Sequence, residues 1–571
     1  MSTKSNRKDL IQQLKKAVGS KNVLTRSNIT LAYRKGFRFG EGGALAVVIP
    51  ETILEQWLVV KACVDAKCII IIQAANTGLT GGSTPSGNDY DRDVVIINTL
   101  KINSIHLVDN NRQAVSLSGA TLHGLEVKLQ KINREPHSVI GSSQIGATII
   151  GGVANNSGGA LVKHGPSYTE YALYAQVDKY GNLNLINHLG IDELGSTPEE
   201  ILCNVQEGNF KHKKICNKGM ASDTEYIDWI RDIGSEIPAR FNADDRRLFE
   251  ASGCAGKVCV FAVRTNTFPK AKKEQVFYIG TNNAKRLSIL RRDILSNFKD
   301  LPDVAEYMHS SIFSITERYG KDIFLAVKYL GSDRIHKFFK IKEKLEQMMD
   351  RIPILPSGLL NKTLFSLVNI FPKHLPNRMT EYRDKYEHHL ILGVRDEGIC
   401  EMKKYLDLSW TKYHDSDFFT CTNDEGADAL THRFSAGGAA GSCKAILDNK
   451  VGDILALDVA LRRNDEDWVD NISKDIENEV AYSLYYGHFL CNVFHRNYIL
   501  KKGADKDKIK LNLLNSLDHK GAKYPAEHNV GHLYEADSNL QEFYSKLDPT
   551  NTFNPGIGNM SKDRQNCNCC F

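Results

Sequence analysis

Two histidine-bearing stretches and two runs of small residues are where this chain could do chemistry. The first stretch is Gly487-His488-Phe489-Leu490-Cys491-Asn492-Val493-Phe494-His495, and the second is Ala526-Glu527-His528-Asn529-Val530-Gly531-His532. An imidazole titrates near ~6.5 and so exchanges protons at neutral pH. His488 and His495 stand seven residues apart. On one strand that odd spacing sends them to opposite faces; on a helix they share one, and the spacing alone leaves both open. The small-residue runs suggest a different task. Ala74-Ala75-Asn76-Thr77-Gly78-Leu79-Thr80-Gly81-Gly82-Ser83-Thr84-Pro85-Ser86-Gly87 follows the apolar run Cys68-Ile69-Ile70-Ile71-Ile72. Glycine has no Cβ and tolerates positive φ, so consecutive backbone N–H groups can turn into one concavity and approach an anion. Thr77, Thr80, Ser83 and Thr84 add hydroxyl donors. That is the chemistry of a pyrophosphate cradle.

The cradle is of neither common type. A P-loop ends in Gly-Lys-Ser/Thr, and a dinucleotide fingerprint leads from Gly-x-Gly-x-x-Gly into a helix. Here the loop runs through Pro85 and Asn88-Asp89-Tyr90 into Val94-Val95-Ile96-Ile97, a second strand. The second small-residue run comes later, as Gly141-Ser142-Ser143-Gln144-Ile145-Gly146-Ala147-Thr148-Ile149-Ile150-Gly151-Gly152 and then Asn155-Asn156-Ser157-Gly158-Gly159. Two such runs suit opposite sides of one extended ligand.

The elements that must hold these residues follow from patterning. Apolar spacing of three and four predicts helices over Leu54 to Ala66 and Leu122 to Leu129, and Val258 to Val263 reads as a buried strand. The segment from about 190 to 235 is polar and carries no expected chemistry. From about 271 longer helical patterns begin, at Asn283 to Phe298 and Asp333 to Met349, and strands return near Glu387 to Leu392. A length of 571 residues predicts two or three domains. A formal net charge of +5 is too small for a polyanion binder, so no nucleic-acid partner is expected. The 13 cysteines are mostly isolated and odd in number, which points to reduced thiols inside a cell. No apolar run approaches the ~18–20 residues of a membrane span.

The two small-residue runs resemble the FAD domain of the vanillyl-alcohol-oxidase and p-cresol-methylhydroxylase group of flavoenzymes. Three further strings narrow the likeness: Tyr33-Arg34-Lys35-Gly36-Phe37-Arg38, Arg134-Glu135-Pro136-His137-Ser138-Val139-Ile140-Gly141, and Asp548-Pro549-Thr550-Asn551 to Asn554-Pro555-Gly556-Ile557-Gly558. With them the chain resembles the bacterial quinone-dependent D-lactate dehydrogenases along nearly its whole length. The resemblance implies an α+β protein with a two-part FAD-binding domain and an inserted α+β cap domain. It places the FAD-binding parts at 1–270 and 516–571 and the cap at 271–515. It implies non-covalent FAD held by Ala74, Ala75, Asn76, Thr77, Gly78, Gly82, Ser83, Gly141, Thr148 and Gly158, with Val260 against the flavin.

The resemblance also gives roles to the histidine stretches. In flavin-dependent 2-hydroxyacid dehydrogenases two histidines and a glutamate can hold a divalent metal, and the histidine after the glutamate is the base. Those residues are His488, His495, Glu527 and His528 here. Asn529 stands where glycine is usual, and Phe489-Leu490-Cys491 replaces a glycine- and aspartate-containing run, so the metal stays open. A substrate carboxylate is best held by the planar fork of arginine. Arg433 aligns with the family's substrate arginine, with Arg462 and Arg463 as second choices. The implied reaction is oxidation of D-lactate to pyruvate, with electrons passing from FAD to a membrane quinone. Other D-2-hydroxy acids, an oxygen-reducing oxidase and a non-catalytic flavin-holding adaptor are the competing readings.

Quinone lies in lipid, so the resemblance implies a peripheral protein on the cytoplasmic side of the inner membrane. Its expected contact is 331–385. There Lys337, Lys340, Lys342, Lys344 and Lys373 would attract anionic phospholipid while Phe338, Phe339, Leu364 and Phe365 insert.

Overall fold

Ile69–Gln73 and Val94–Asn98 are β-branched runs with almost no exposed residue, and they pair in parallel. A parallel pair needs a long connection, and here the glycine-rich loop is that connection. Ala46–Val48 joins the other side of Val94–Asn98, also in parallel, and Val23–Leu24 closes a four-stranded sheet. The helix Ile53–Asp65, capped by Thr52, packs Trp57, Val60 and Cys63 into the core beneath it. The computed structural model describes residues 4–138, 145–330, 341–342, 345, 348–349, 359–368, 370–371, 373–410 and 413–565.

A six-stranded antiparallel sheet lies beside the first. The long strand Cys259–Pro269 is its spine, flanked by Gln113–Leu117 and Ala172–Val177. The helix Leu122–Gln130 and the short helix Ile149–Ala154 pack on it, the second capped by Thr148. The C-terminal segment returns to the first sheet: Ile70 donates to the Thr552 carbonyl and Asn554 donates to that of Ile70.

The third sheet has seven strands, all antiparallel. Its order is Ser416–Thr420, Glu274–Thr281, His388–Arg395, Val304–His309, Val480–His488, Val493–Lys501 and Val451–Ala460. The helices Ala284–Asn297 and Gly398–Ser409 contribute Leu287, Ile294, Met402 and Leu406 to one of its cores. The 24-residue helix Asn423–Ile446 contributes Ala429, Ala436 and Cys443 to the other, alongside Ile312 and Phe313 of Ser310–Tyr319. The helix Lys506–His519 also packs here, through Ile509, Leu513 and Leu517.

Two expectations for the membrane-contacting segment need correction. Lys342 is not a free cation: it pairs with Asp322 at 2.9 Å, and both side chains are largely covered. Phe365 does not point away from the protein: its ring stacks on Tyr319 at 5.4 Å and packs on the cap core. The exposed apolar residues after it are Leu367, Ile370 (80% exposed) and Phe371 (60%). Lys337, Phe338, Phe339, Lys340 and Lys344 lie outside the described residues, as does most of the helix expected over Asp333 to Met349. Among the described residues no helix is long and apolar enough to cross a membrane.

Candidate active site

His488 ends the strand Val480–His488, and Val493–Lys501 runs back beside it. The one-turn helix Phe489–Cys491, with Asn492 at φ 55°, makes the reversal. Asn tolerates this left-handed conformation better than most residues. The histidine segment is therefore a hairpin, neither the single strand nor the helix that the spacing allowed. His495 sits opposite Tyr486, two residues before His488, so both imidazoles share a face. Their ring centroids are 5.4 Å apart.

The sheet extends this face on both sides. Glu306 on Val304–His309 sits directly opposite His488, and Asp458 on Val451–Ala460 directly opposite His495. Glu306 Oε1 accepts from His488 Nδ1 at 2.6 Å. Asp458 Oδ1 stands 3.1 Å from His495 Nδ1. The segment around 523–527 then runs along the sheet edge, with Ala460 and Lys523 exchanging backbone hydrogen bonds. Glu527 follows, and its backbone N–H donates to Asp458 Oδ2 at 2.7 Å.

The Glu527 carboxylate lands between the two histidines, with Oε2 3.1 Å from His488 Nε2 and 3.9 Å from His495 Nε2. Arg240, fully covered, ion-pairs with its other oxygen and donates to the Gly159 carbonyl at 2.8 Å. Arg433 projects from the helix Asn423–Ile446, pairs with Glu306 Oε2 at 2.7 Å and lies 4.5 Å over the Tyr486 ring. Arg433, Glu306, His488, Glu527 and Arg240 thus form an unbroken chain of alternating charge. Buried charges persist only when paired in this way.

The electrostatics follow from that chain. Burial alone would lower the His488 pKa, but Glu306 and Glu527 outweigh it and push it up to about 10. Burial works against the charge of Glu527, yet Arg240 and His488 hold its carboxyl well below the usual range. Glu306 is likewise lowered, by Arg433 and His488 against burial. Burial pulls the His495 pKa down despite Asp458, so that ring favours its neutral form. His528 lies beside them, its ring stacked on His495 at 6.3 Å and its Nε2 3.8 Å from Asp458. It is 33% exposed, the most open side chain of the group.

Five expected residues, Arg433, His488, His495, Glu527 and His528, therefore come together. Arg462 and Arg463 do not join them: the first pairs with Asp465 at 2.8 Å, and the second lies buried against Trp229. Three participants were not foreseen, Glu306, Asp458 and Arg240. Glu306 and Asp458 had a legible signal, since each is an acid flanked by apolar strand residues, where burial demands a partner. Arg240 had none, because it lies in an irregular polar segment.

The small-residue runs meet close by. Asn76 (φ 54°) and Gly81 (φ 76°) turn the first loop inward. Ser83 donates to Asn76 Oδ1, and Gln73 holds the Ser83 carbonyl. A Cβ at Gly78 would meet nothing within 4 Å, so the cradle is open there. Gly82 lies against Gly531 and Asn529, which brings this loop to the His528 segment. Asn529 Oδ1 accepts from Gly531 N–H, so the residue that departs from the family pattern shapes that loop. Ala74, Ala75 and Thr77 are half-buried along the loop. Thr148 is buried, and its hydroxyl caps the following helix by accepting from Gly151 N–H, leaving mainly its backbone for a ligand. Gly158 backs directly onto Glu527, where a Cβ would collide with the carboxylate. Val260 sits in the apolar core with Ile149, Val153 and Cys254. Gly141 lies outside the described residues.

Comparison with known proteins gives the family and the fold. Residues 276–566 match the family model described as D-lactate dehydrogenase, membrane binding, and 44–177 match the FAD binding domain model. The chain is 50% identical over 561 residues to the quinone-dependent D-lactate dehydrogenase of Escherichia coli (strain K12), covering 98% of each. It is 42% identical to the protein of the same name from Corynebacterium glutamicum, covering 97% of each. Among solved structures, p-cresol methylhydroxylase matches with a TM-score of 0.59 at 13% identity, covering 98% of each chain. Alkyldihydroxyacetonephosphate synthase matches with a TM-score of 0.56 at 10% identity, over 96% of this chain and 84% of that one. At such identities these two establish the fold alone.

Proposed function

The chain belongs to the quinone-dependent D-lactate dehydrogenase family, and from that premise we propose how its own residues carry the reaction. The protein is an FAD-dependent oxidoreductase that oxidises D-lactate with quinone as acceptor, and it associates with a membrane.

Arg433 anchors the lactate carboxylate. Its guanidinium is fixed by Glu306 and Tyr486, and its Nε has no hydrogen-bond partner among the described residues. That leaves an oriented donor edge for a carboxylate. His528 takes the hydroxyl proton as general base; its partial exposure and its position beside Asp458 support this. The observation that carries the assignment is the continuous charge chain from Arg433 to Glu527, which ends beside His528, the most open imidazole of the group.

Residues 74–83 would hold FAD, with the second small-residue run across from them, and the flavin would accept the electrons when bound. The open face at Gly78 and the close approach of Gly82 to Asn529 fit an extended ligand reaching the His528 segment. We take the flavin to be non-covalent: acid precipitation should leave it in the supernatant, and flavin fixed to the pellet would contradict this.

With the His488 Nε2 proton displaced, the donor set also fits a divalent cation, which would then take that proton's place between Glu306 and Glu527 in the charge chain. His488 and His495 both offer Nε2 toward Glu527, while each Nδ1 faces a carboxylate. Carboxylates behind histidine ligands are the usual second shell of a metal site. His488, His495 and Glu527 would hold the ion, which would act as a Lewis acid toward the substrate.

We propose FAD-binding parts at 1–270 and 527–571 around a cap at 271–526. The return expected at 516 falls inside the helix Lys506–His519, whose apolar face packs in the same core as the seven-stranded sheet, as does Ala526. The membrane contact involves anionic phospholipid on the cytoplasmic side. Exposed Ile370, Phe371 and Lys373 support the lipid part of this reading.

The deciding experiment is anaerobic mixing with D-lactate, followed by the flavin absorbance. Wild-type flavin should bleach, and Arg433→Lys and His528→Asn should bleach far more slowly. Wild-type rates in both variants would overturn the assignment.

A further inference from the structure

We propose that Glu306 sets the substrate class of this site, restricting it to 2-hydroxy acids that carry a single carboxylate. The inference rests on the reading of Arg433 as the carboxylate anchor. Glu306 is 3% exposed and sits opposite His488 in the sheet, so the strand pairing fixes where its carboxylate lies. One oxygen takes the Nη2 edge of Arg433 at 2.7 Å and the other takes His488 Nδ1 at 2.6 Å. A guanidinium has five N–H donors in a planar fork. With the Nη2 edge occupied, Nε and the remaining donors are left for one substrate carboxylate.

The charge of Glu306 then stands beside that anchored carboxylate. A substrate with a second carboxylate, such as D-malate or D-2-hydroxyglutarate, must place it within a few ångströms of the first. It would lie within Coulombic range of Glu306, in surroundings where water screens poorly. Its natural counter-charges among the described side chains are committed. Arg240 is bound to Glu527 and the Gly159 carbonyl, and His488 lies between two carboxylates. Arg38 reaches the same helix one turn beyond Arg433, at the Gly437 carbonyl, but it is exposed, where water weakens its pull. A neutral side chain, as in D-lactate, meets none of this repulsion.

The test compares wild type, Glu306→Gln and Glu306→Asp at equal flavin occupancy and equal metal content. Flavin reduction is followed with D-lactate, D-malate and D-2-hydroxyglutarate. Wild type should strongly prefer D-lactate. Glu306→Gln should lose activity on D-lactate, because Arg433 is held less well. Yet its kcat/KM ratio of dicarboxylate to D-lactate should rise by ~10-fold or more, since the repelling charge is gone. Glu306→Asp keeps the charge and shortens the reach, so all three substrates should fall together with the ratio unmoved. An unchanged ratio in Glu306→Gln overturns the inference and leaves Glu306 as a positioning residue only. Equal use of D-malate and D-lactate by wild type overturns it without any variant. Failure of the underlying anchor reading shows separately, as a D-lactate KM that does not rise in Arg433→Lys.

Discussion

Asp458 accepts a 2.7 Å hydrogen bond from the backbone N–H of Glu527. One buried acid on an edge strand therefore fixes the loop that carries both Glu527 and His528, while also facing His495 and His528. Asp458→Asn can still accept that backbone hydrogen bond, but it loses the charge that orients two imidazoles. Flavin reduction by D-lactate should slow by roughly 10–100-fold, with flavin content preserved. His528→Asn should slow it by roughly 10²-fold or more, the scale of a lost general base. Stopped-flow reduction at the wild-type rate in Asp458→Asn would remove Asp458 from the proton-transfer machinery.

Arg433→Lys should cost ~10²-fold or more in kcat/KM for D-lactate, since a point charge cannot replace a fork held by Glu306. The flavin spectrum and content should be unchanged, because Arg433 belongs to the cap. Loss of flavin in this variant would mean that the residue supports the fold rather than the substrate.

Gly78→Val should leave a folded protein that retains little flavin. A Cβ there meets no protein atom within 4 Å, so the added bulk projects into open space beside the loop. Gly531→Val is the contrast: at φ 56° and pressed against Thr80, it should impair folding itself. A normal flavin-to-protein ratio in purified Gly78→Val would move the cofactor elsewhere.

The fold should be acid-labile. Burial lowers the pKa values of His137, His389 and His432 to about 3. Their folded pKa values lie below the unfolded one, so the unfolded chain binds more protons between about pH 6.5 and 3. Stability is complete above the unfolded pKa and falls as pH drops, by roughly 1.4 kcal/mol per pH unit for each such histidine. Thermal melting at pH 7.5, 6 and 5 should show a descending Tm, and His432→Leu should flatten the descent. A constant Tm across that range would contradict the burial of these rings as neutral groups.

Replacing Ile370 and Phe371 by serine should weaken binding to anionic and neutral vesicles alike, because the loss is apolar. Lys373→Gln should weaken only anionic binding, in a salt-dependent manner. Reduction of a soluble dye by D-lactate should persist in both, while quinone turnover falls. Phe365→Ser should instead lower the Tm, since that ring stacks on Tyr319 inside the protein. Unaltered vesicle sedimentation of the Ile370 and Phe371 variant would place the lipid contact elsewhere.

The sequence by itself determined the local chemistry. Small residues at 74–83 make a loop whose backbone can come close to a ligand, and the β-branched runs on either side read as buried strands. The Glu527-His528 pair and Arg433 are picked out by resemblance to the family, without knowledge of the elements that carry them. What it could not decide was adjacency. Whether His488 and His495 share a face depended on the left-handed turn at Asn492, which made a hairpin and turned an odd spacing into a common surface. That Glu306 and Asp458 are the partners of those histidines follows from strand order, with the four strands that carry them side by side in the sheet. Residues up to 182 positions apart are brought within a hydrogen bond or an ion pair along that sheet and its edge. Pairing across strands is long-range, paid for by the whole core, and no local pattern encodes which strand lies next to which.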